Sequence, residues 1–261
     1  MFEFVEIEKE KAPMRAVVVG ASSGLGRCIA VGLGKRGAHV ALLARRHEHL
    51  QEAAREVGPE ALAIRCDVTD QSSCQEAIEE AADGLGGIDA LVYATGVGAL
   101  TRLTDVGQDA WRQTFDTNVI GASLITAAAL PHLEASKGTA AYLSSTSASE
   151  TAPLPGLGAY AVSKAALNKL VEAWRSEHPQ IGFTRVTVGD CAGGDGDSMT
   201  QFANDWDHEL AAELAPVWVA RNLLAGSLMD VEELVQVVDS VLRCGAGACI
   251  PSVAVIPRPP A

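Results

Sequence analysis

Basic residues are scarce in this chain: 20 Lys and Arg stand against 33 Asp and Glu among 261 residues, a formal net charge of −13. No basic cluster exceeds a pair, which argues against a nucleic-acid surface, because that surface needs Lys and Arg gathered on one face. Long apolar runs are missing too. No stretch approaches the roughly 20 consecutive apolar residues that span a bilayer. Met1 to Lys11 is charged and alternating, without the apolar heart of a signal peptide. The expectation is a cytoplasmic protein with no membrane partner. Six cysteines (Cys28, Cys66, Cys74, Cys191, Cys244, Cys249) are scattered, with no C-x-x-C pair and no histidines at metal-ligand spacing around them. They read as buried free thiols, and no metal is expected. Internal repeats and low-complexity segments are absent.

What is present is alternation. Short apolar runs at Arg15–Val19, Ala38–Leu43, Ala61–Arg65, Ala90–Tyr93, Thr139–Leu143, Phe183–Val188 and Cys249–Val255 read as strands. Between them lie helical patterns at Leu25–Arg36, His47–Glu56, Gln71–Gly84, Val106–Leu133, Tyr160–Ser176 and Val231–Leu242. Strands alternating with helices of this length imply an α/β, Rossmann-like, doubly wound parallel sheet of about seven strands with helices on both faces. Ligand is then expected beyond the carboxyl ends of the strands, at the switch point. A chain of 261 residues, 48% apolar, fits one such domain over 1–261. Residues 1–13 read as an N-terminal extension, about 190–225 as a substrate loop or lid, and 256–261 as a tail.

The first strand runs into Gly20-Ala21-Ser22-Ser23-Gly24-Leu25-Gly26, and a helix follows. Glycines in a strand–turn–helix context let backbone N–H groups approach a pyrophosphate, while the helix N-terminus offers donors and a positive dipole. Further on, Tyr160-Ala161-Val162-Ser163-Lys164 places a phenol and an ammonium four residues apart on one helix face. A lysine so placed is expected to lower the pKa of the tyrosine and fit it for proton transfer near neutrality.

With these two motifs in this order and separation, the chain resembles the short-chain dehydrogenase/reductase family, from about Met14 to about Arg243. The spacing Gly20-x-x-x-Gly24-x-Gly26 is similar to that of the single-domain branch. The resemblance implies catalytic roles for Asn118, Ser145, Tyr160 and Lys164. It implies cofactor contacts from Gly20, Ser22, Ser23, Gly24, Leu25, Gly26, Ala94, Thr95 and Gly96, and from Tyr160 and Lys164. Asp67-Val68 resembles the adenine-edge contact, with helix capping as the structural alternative for Asp67. The serine is open between Ser145, favoured by strand register, and Ser147, favoured by counting back from Tyr160. Asn118 falls inside a helical pattern, where the family has a local kink.

Cofactor preference is read after the second strand, where no carboxylate follows to bind a ribose diol. Arg45 and Arg46 stand there instead, and arginine suits a 2′-phosphate. NADP is therefore expected over NAD, with Arg45 the first candidate and Arg46 the second. Two stretches depart from the family pattern. Tyr93-Ala94-Thr95-Gly96 stands where the family shows Asn-Asn-Ala-Gly, and Gly189-Asp190-Cys191 where it has Pro-Gly. The loop after it carries Asp190, Asp195 and Asp197, read as solvated acids rather than a metal site. Phe202, Trp206, Leu210, Leu214, Trp218 and Leu223 supply apolar bulk for a lid, or else for core or oligomer contact. The implied activity is hydride transfer between nicotinamide and a carbonyl or secondary alcohol, with a hydrophobic small-molecule substrate and Tyr160 as acid/base. A non-catalytic NADP(H)-binding sensor or scaffold on the same fold is the alternative. The resemblance further implies a homodimer or homotetramer.

Overall fold

The computed structural model describes residues 12–258, so residues 1–11 of the expected extension and 259–261 of the expected tail lie outside the described residues. Seven strands form one sheet: β1 (Arg15–Val19), β2 (His39–Ala44), β3 (Leu62–Arg65), β4 (Ala90–Tyr93), β5 (Thr139–Ser145), β6 (Gly182–Val188) and β7 (Ser252–Val255). Their order is β3-β2-β1-β4-β5-β6-β7, and every pairing is parallel. Ala16 to Val19 are 0% exposed, as a central strand covered on both faces must be. The order in which strands are added reverses between β1 and β4, all of them running the same way. At the amino ends of these two strands Arg15 and Asp89 pair through Nη2 and Oδ1 at 2.6 Å and through Nε and Oδ2 at 2.9 Å.

One face is covered by α1 (Gly24–Lys35), α2 (His47–Val57) and, from the far end of the chain, α8 (Val231–Leu242). The other face carries α3 (Gln71–Leu85), α5 (Gly121–Ser136) and α6 (Gly158–Glu177). Between β1 and α1 the approach is close enough to require glycine. A Cβ on Gly26 would stand 2.3 Å from the Gly20 carbonyl oxygen.

The expected single helix Val106–Leu133 is divided. It comprises α4 (Gln108–Phe115), a π-helical turn Asp116–Ile120, and α5. The stretch Gln108–Ser136 has a mean hydropathy of 1.3 in its most apolar window, and by length and composition alone it could cross a membrane. That corrects the expectation that no run reaches this length; alanine and other small residues escape notice when one looks for bulky apolar runs. Here it packs against α3, β4 and α6.

A helix not expected from the pattern, α7 (His208–Ala220), begins on Asp207, whose carboxylate accepts from Glu209 N and Leu210 N. Leu210, Leu214 and Trp218, four residues apart, were its signal. β7 starts three residues later than expected, after Pro251, so Cys249 stands exposed in the preceding turn. Of the six free cysteines only Cys66 and Cys74 are buried, and the expectation of uniformly buried thiols is corrected there.

Candidate active site

The glycine loop, the end of β4, the end of β5 and the first turns of α6 meet at the carboxyl edge of the sheet. Gly20 N and Ala21 N donate to the Leu43 carbonyl, which ties the loop to β2 (2.7 and 3.3 Å). Ala94 N donates to Val19 O at 2.9 Å and continues the β1–β4 pairing toward Thr95 and Gly96. A Cβ on Gly20 would stand 2.5 Å from Thr95 Oγ1, so Thr95 lies directly against the start of the loop.

Arg46 reaches back over this loop. Its Nη2 donates to Ser22 Oγ at 3.0 Å and to Ser23 Oγ at 2.6 Å, and its Nη1 donates to Gln201 Oε1. Arg45 is exposed, and its charge acts on Asp67. The Asp67 carboxyl is opposed by burial, yet bonds from Thr69 N and Thr69 Oγ1 and the charges of Arg45 and Arg65 hold it below its usual range. Asp67 closes a local turn, while the helix cap on α3 is Asp70, accepting from Ser73 N at 2.9 Å. Val68 is buried beside it.

Tyr93 explains the departure from asparagine at its position. Its ring is fully buried against Tyr142, and its hydroxyl donates to the Thr117 carbonyl at 2.5 Å. That carbonyl belongs to the π-helical turn, so Tyr93 helps hold the local widening that carries Asn118. Asn118 is 0% exposed. Its Oδ1 accepts from Val97 N at 2.8 Å, and its Nδ2 donates to Val97 O at 2.9 Å and to Ser163 Oγ at 2.8 Å. Ser163 in turn donates to Tyr160 O at 2.7 Å. Ser163 and Val97 thus join the site as supports of Asn118. The helical reading of Ser163 gave no hint of this, since only the fold brings residue 118 to it.

Both serines of the open choice are present together. Ser145 Oγ lies 2.9 Å from Ser147 Oγ and accepts from Ser147 N at 3.2 Å. Of the two, Ser145 is the hydroxyl that acts on the Tyr160 phenol, favouring its charged form. Ser144 points the other way, donating to Asn168 Oδ1 at 2.6 Å, as alternation along a strand requires.

Lys164 is 4% exposed, and its Nζ donates to the Leu143 carbonyl at 2.8 Å. Nζ lies 5.8 Å from the centre of the Tyr160 ring and 3.1 Å from the point a Cβ on Gly96 would occupy. Burial pushes the lysine down to about 8. Burial also pushes the Tyr160 phenol up to about 12, against a smaller downward pull from the Ser145 hydroxyl. The expected lowering of the tyrosine by its lysine is therefore corrected: desolvation disfavours the charged form of both groups, and only the Ser145 hydroxyl pulls the phenol down. At neutral pH this phenol holds its proton.

Phe202 packs on the Tyr160 ring with centroids 4.7 Å apart, and the aromatic contacts continue through Trp206 to Trp218. Gly98 leaves the room: a Cβ there would stand 2.7 Å from Phe202 Cζ and 2.9 Å from Tyr160 Cβ. Trp206 Nε1 donates to Gly98 O and Trp218 Nε1 to Pro155 O, both at 2.9 Å. Asp190, in the segment that departs from the family pattern, accepts from Ala225 N at 2.8 Å and ties down the far end of the lid. Among the described residues no cluster of three His, Cys, Asp or Glu side chains is placed to hold a metal ion.

Residues 14–210 match the family model described as short chain dehydrogenase. The chain belongs to the short-chain dehydrogenase family. It is 37% identical over 179 residues to 11-beta-hydroxysteroid dehydrogenase A of Sesamum indicum, a match covering 66% of this chain and 51% of that protein. The chain thus spans about half the length of this curated relative. Among solved structures it resembles a short-chain type dehydrogenase/reductase from Mycobacterium marinum, with a TM-score of 0.79, 26% identity, and coverage of 93% of this chain and 94% of that one. An alcohol dehydrogenase from Thermococcus sibiricus complexed with 5-hydroxy-NADP shares the fold, with a TM-score of 0.76 at 22% identity over 92% of this chain and 94% of the other. By family, then, this short-chain dehydrogenase groups with proteins named as dehydrogenases.

Proposed function

We propose that this protein is an NADP(H)-dependent reductase of a hydrophobic carbonyl compound, reversible to the secondary alcohol, with Tyr160 as the proton donor. The observation that carries the reading is the meeting of a protonated phenol, a paired serine hydroxyl and a buried lysine at the strand ends beside the glycine loop. The donor set at the loop fits a 2′-phosphate: Arg46 holds two serine hydroxyls with one nitrogen, and a guanidinium beside hydroxyls is the chemistry such a dianion requires. Arg45, close to Asp67, adds positive charge at the adenosine end. The solved relative from Thermococcus carries 5-hydroxy-NADP.

When bound, a reduced nicotinamide supplies the hydride. The chain's own residues handle the proton and the geometry. Tyr160 Oη gives its proton to the carbonyl oxygen as charge builds there, and Ser145 Oγ, set by Ser147, donates a second hydrogen bond to the same atom. Lys164 places an ammonium under the tyrosine and opposite Gly96, where a ribose would be held. Asn118 fixes the Val97 backbone and, through Ser163, the start of α6. The lid cluster of Leu100, Leu157, Leu214 and Trp218, with Phe202 and Trp206 against it, offers an apolar surface to the substrate and keeps water from the reacting atoms. Ile120 and Val162 expose apolar side chains on adjacent helices, which supports assembly of copies through that face.

The test is titration with NADPH and NADH followed by nicotinamide absorbance against a panel of apolar ketones. Tighter binding of NADPH, with turnover that Tyr160→Phe abolishes, is the expected result. Cofactor binding with turnover unchanged by Tyr160→Phe overturns the assignment of the proton donor.

A further inference from the structure

The segment from Ser198 to Trp206 touches the nucleotide end and the catalytic end of the cleft at once. At the nucleotide end the Ser198 carbonyl accepts from Cys28 Sγ on α1 at 3.6 Å. Thr200 Cα lies 3.3 Å from the point a Cβ on Gly24 would occupy, so the backbone runs across the glycine loop itself. Gln201 Oε1 takes one arm of the Arg46 guanidinium. The very next residue, Phe202, lies on the Tyr160 ring at 4.7 Å. Trp206, four residues on, is fixed to Gly98 O.

Adjacent residues of one strand of chain cannot move independently. Gln201 sits on the arginine that faces a 2′-phosphate, and Phe202 sits on the tyrosine that must meet the substrate. We propose that Ser198–Trp206 is a strap latched by Gln201 on Arg46, and that capture of Arg46 by a 2′-phosphate releases it from Tyr160. This rests on the NADP(H) reading above.

A ligand shifts such an equilibrium only through different affinities for its two states. Here the difference has a local source. An arginine–phosphate contact is charge-assisted and bidentate, whereas the Gln201 amide oxygen is a neutral, solvent-exposed acceptor. With the strap closed, Arg46 divides its donors between Gln201 and the two serines. With Gln201 released, the whole fork is free for the phosphate. The strap is anchored at both ends, by Thr200 N donating to Ala192 O at 2.7 Å and Gly194 N to Ser198 O at 2.9 Å, and by the Trp206 indole on Gly98 O. The part free to move is therefore Gln201 to Asp205, whose apolar contacts are those of the small lid cluster. The protein would thereby uncover its catalytic tyrosine in response to the group that separates NADP from NAD.

Two small probes test this without turnover. Adenosine 2′-monophosphate carries the phosphate in question, and adenosine 5′-monophosphate does not. Binding is measured by calorimetry, and amide hydrogen exchange by mass spectrometry is read on the peptide covering 198–206. Saturating 2′-monophosphate is expected to accelerate exchange in that peptide, and saturating 5′-monophosphate to leave it unchanged. Gln201→Ala is expected to exchange fast without ligand, to show no further response, and to bind the 2′-monophosphate several-fold more tightly because no latch competes. Gln201→Glu, which replaces the amide with a carboxylate, is expected to slow exchange and weaken 2′-monophosphate binding. If the 2′-monophosphate binds but the strap exchange does not change, the latch is wrong and the NADP(H) reading stands. Should it bind no better than the 5′-monophosphate, the cofactor preference fails and the latch with it. A Gln201→Ala protein with wild-type exchange and affinity also overturns the latch.

Discussion

The sheet and the lid are built on opposite principles. In the sheet, β1, β2 and β4 are almost wholly buried, helices cover both faces, and the strands pair in register along their length. In the lid, among the described residues, the cluster buries Leu100, Leu157, Leu214 and Trp218, half-covers Phe202, Trp206, Leu210 and Leu223, and leaves Met199 and Val219 exposed. Two indole N–H bonds to backbone carbonyls, from Trp206 and Trp218, fix what packing alone does not. The sheet and the helix α6 packed on it hold Ser145, Tyr160 and Lys164 in place, with Lys164 tied to the Leu143 carbonyl of β5, as proton transfer requires. The lid presents Phe202 to the same tyrosine on a segment with few buried contacts, as a surface that must admit and release a ligand requires. Precision is placed where chemistry is done and compliance where the ligand passes.

That contrast can be broken experimentally. The largest effect is expected from Tyr160→Phe, which removes the proton donor: turnover per encounter should fall about 10³-fold, with NADPH binding unchanged by fluorescence titration. Retained activity would mean that the proton comes from elsewhere. Next is a pair of truncations read by denaturant unfolding. Leu42→Ala in β2, fully buried, should cost about 3 kcal/mol of global stability. Leu214→Ala in the lid should cost clearly less and raise KM instead, and equal losses would show that lid and sheet unfold as one unit.

Lys164 comes third. Its value of about 8 lies below that of free lysine, 10.5, so the fold is penalised while the lysine is protonated both folded and unfolded. The penalty is full below about pH 8 and fades as pH rises toward 10.5. Lys164→Met should therefore raise stability at pH 7, by ~3 kcal/mol at most, and the gain over wild type should close as pH rises through that window. It should also abolish turnover, and a variant less stable at pH 7 would contradict the burial argument. The smallest effect belongs to Trp206→Phe, which forfeits the bond to Gly98 O. About 1 kcal/mol of local stability should be lost, visible as faster exchange in the lid and not as a shift of the global melting transition.

The sheet was legible in the sequence because a buried parallel strand is a short β-branched run and its following helix has a clear apolar face. β1 and β4 fall at their expected residues, and the glycine loop could be located from spacing. The π-helical turn at Asp116–Ile120 was legible only as the kink that the family resemblance implies at Asn118, and its form depends on Tyr93, which arrives from β4 to bind the Thr117 carbonyl. The Asn118–Ser163 bond was not legible, because its partners are 45 residues apart. Arg46 reaching Ser22 and Ser23 depends on the direction in which the chain leaves β2, and a sequence reading could only offer two adjacent arginines. Lid residues were recognisable as apolar, but what they touch is fixed by a loop whose glycines leave its path open. The tyrosine pKa was misjudged because the lysine was weighed and the burial of both groups was not.

Tyr93 has a consequence for which changes this protein can accept. Its hydroxyl lies 2.9 Å from the point a Cβ on Gly121 would occupy, and the Val68 side chain stands equally close. Position 121 is therefore conditional on position 93. Alanine at 121 alone would push the phenol off the Thr117 carbonyl and loosen the turn that carries Asn118. In a Tyr93→Phe background the same alanine no longer meets the hydroxyl, and only Val68 has to yield. The two substitutions should be non-additive, each softening the penalty of the other, so that a route from this chain toward a side chain at 121 passes through 93 first.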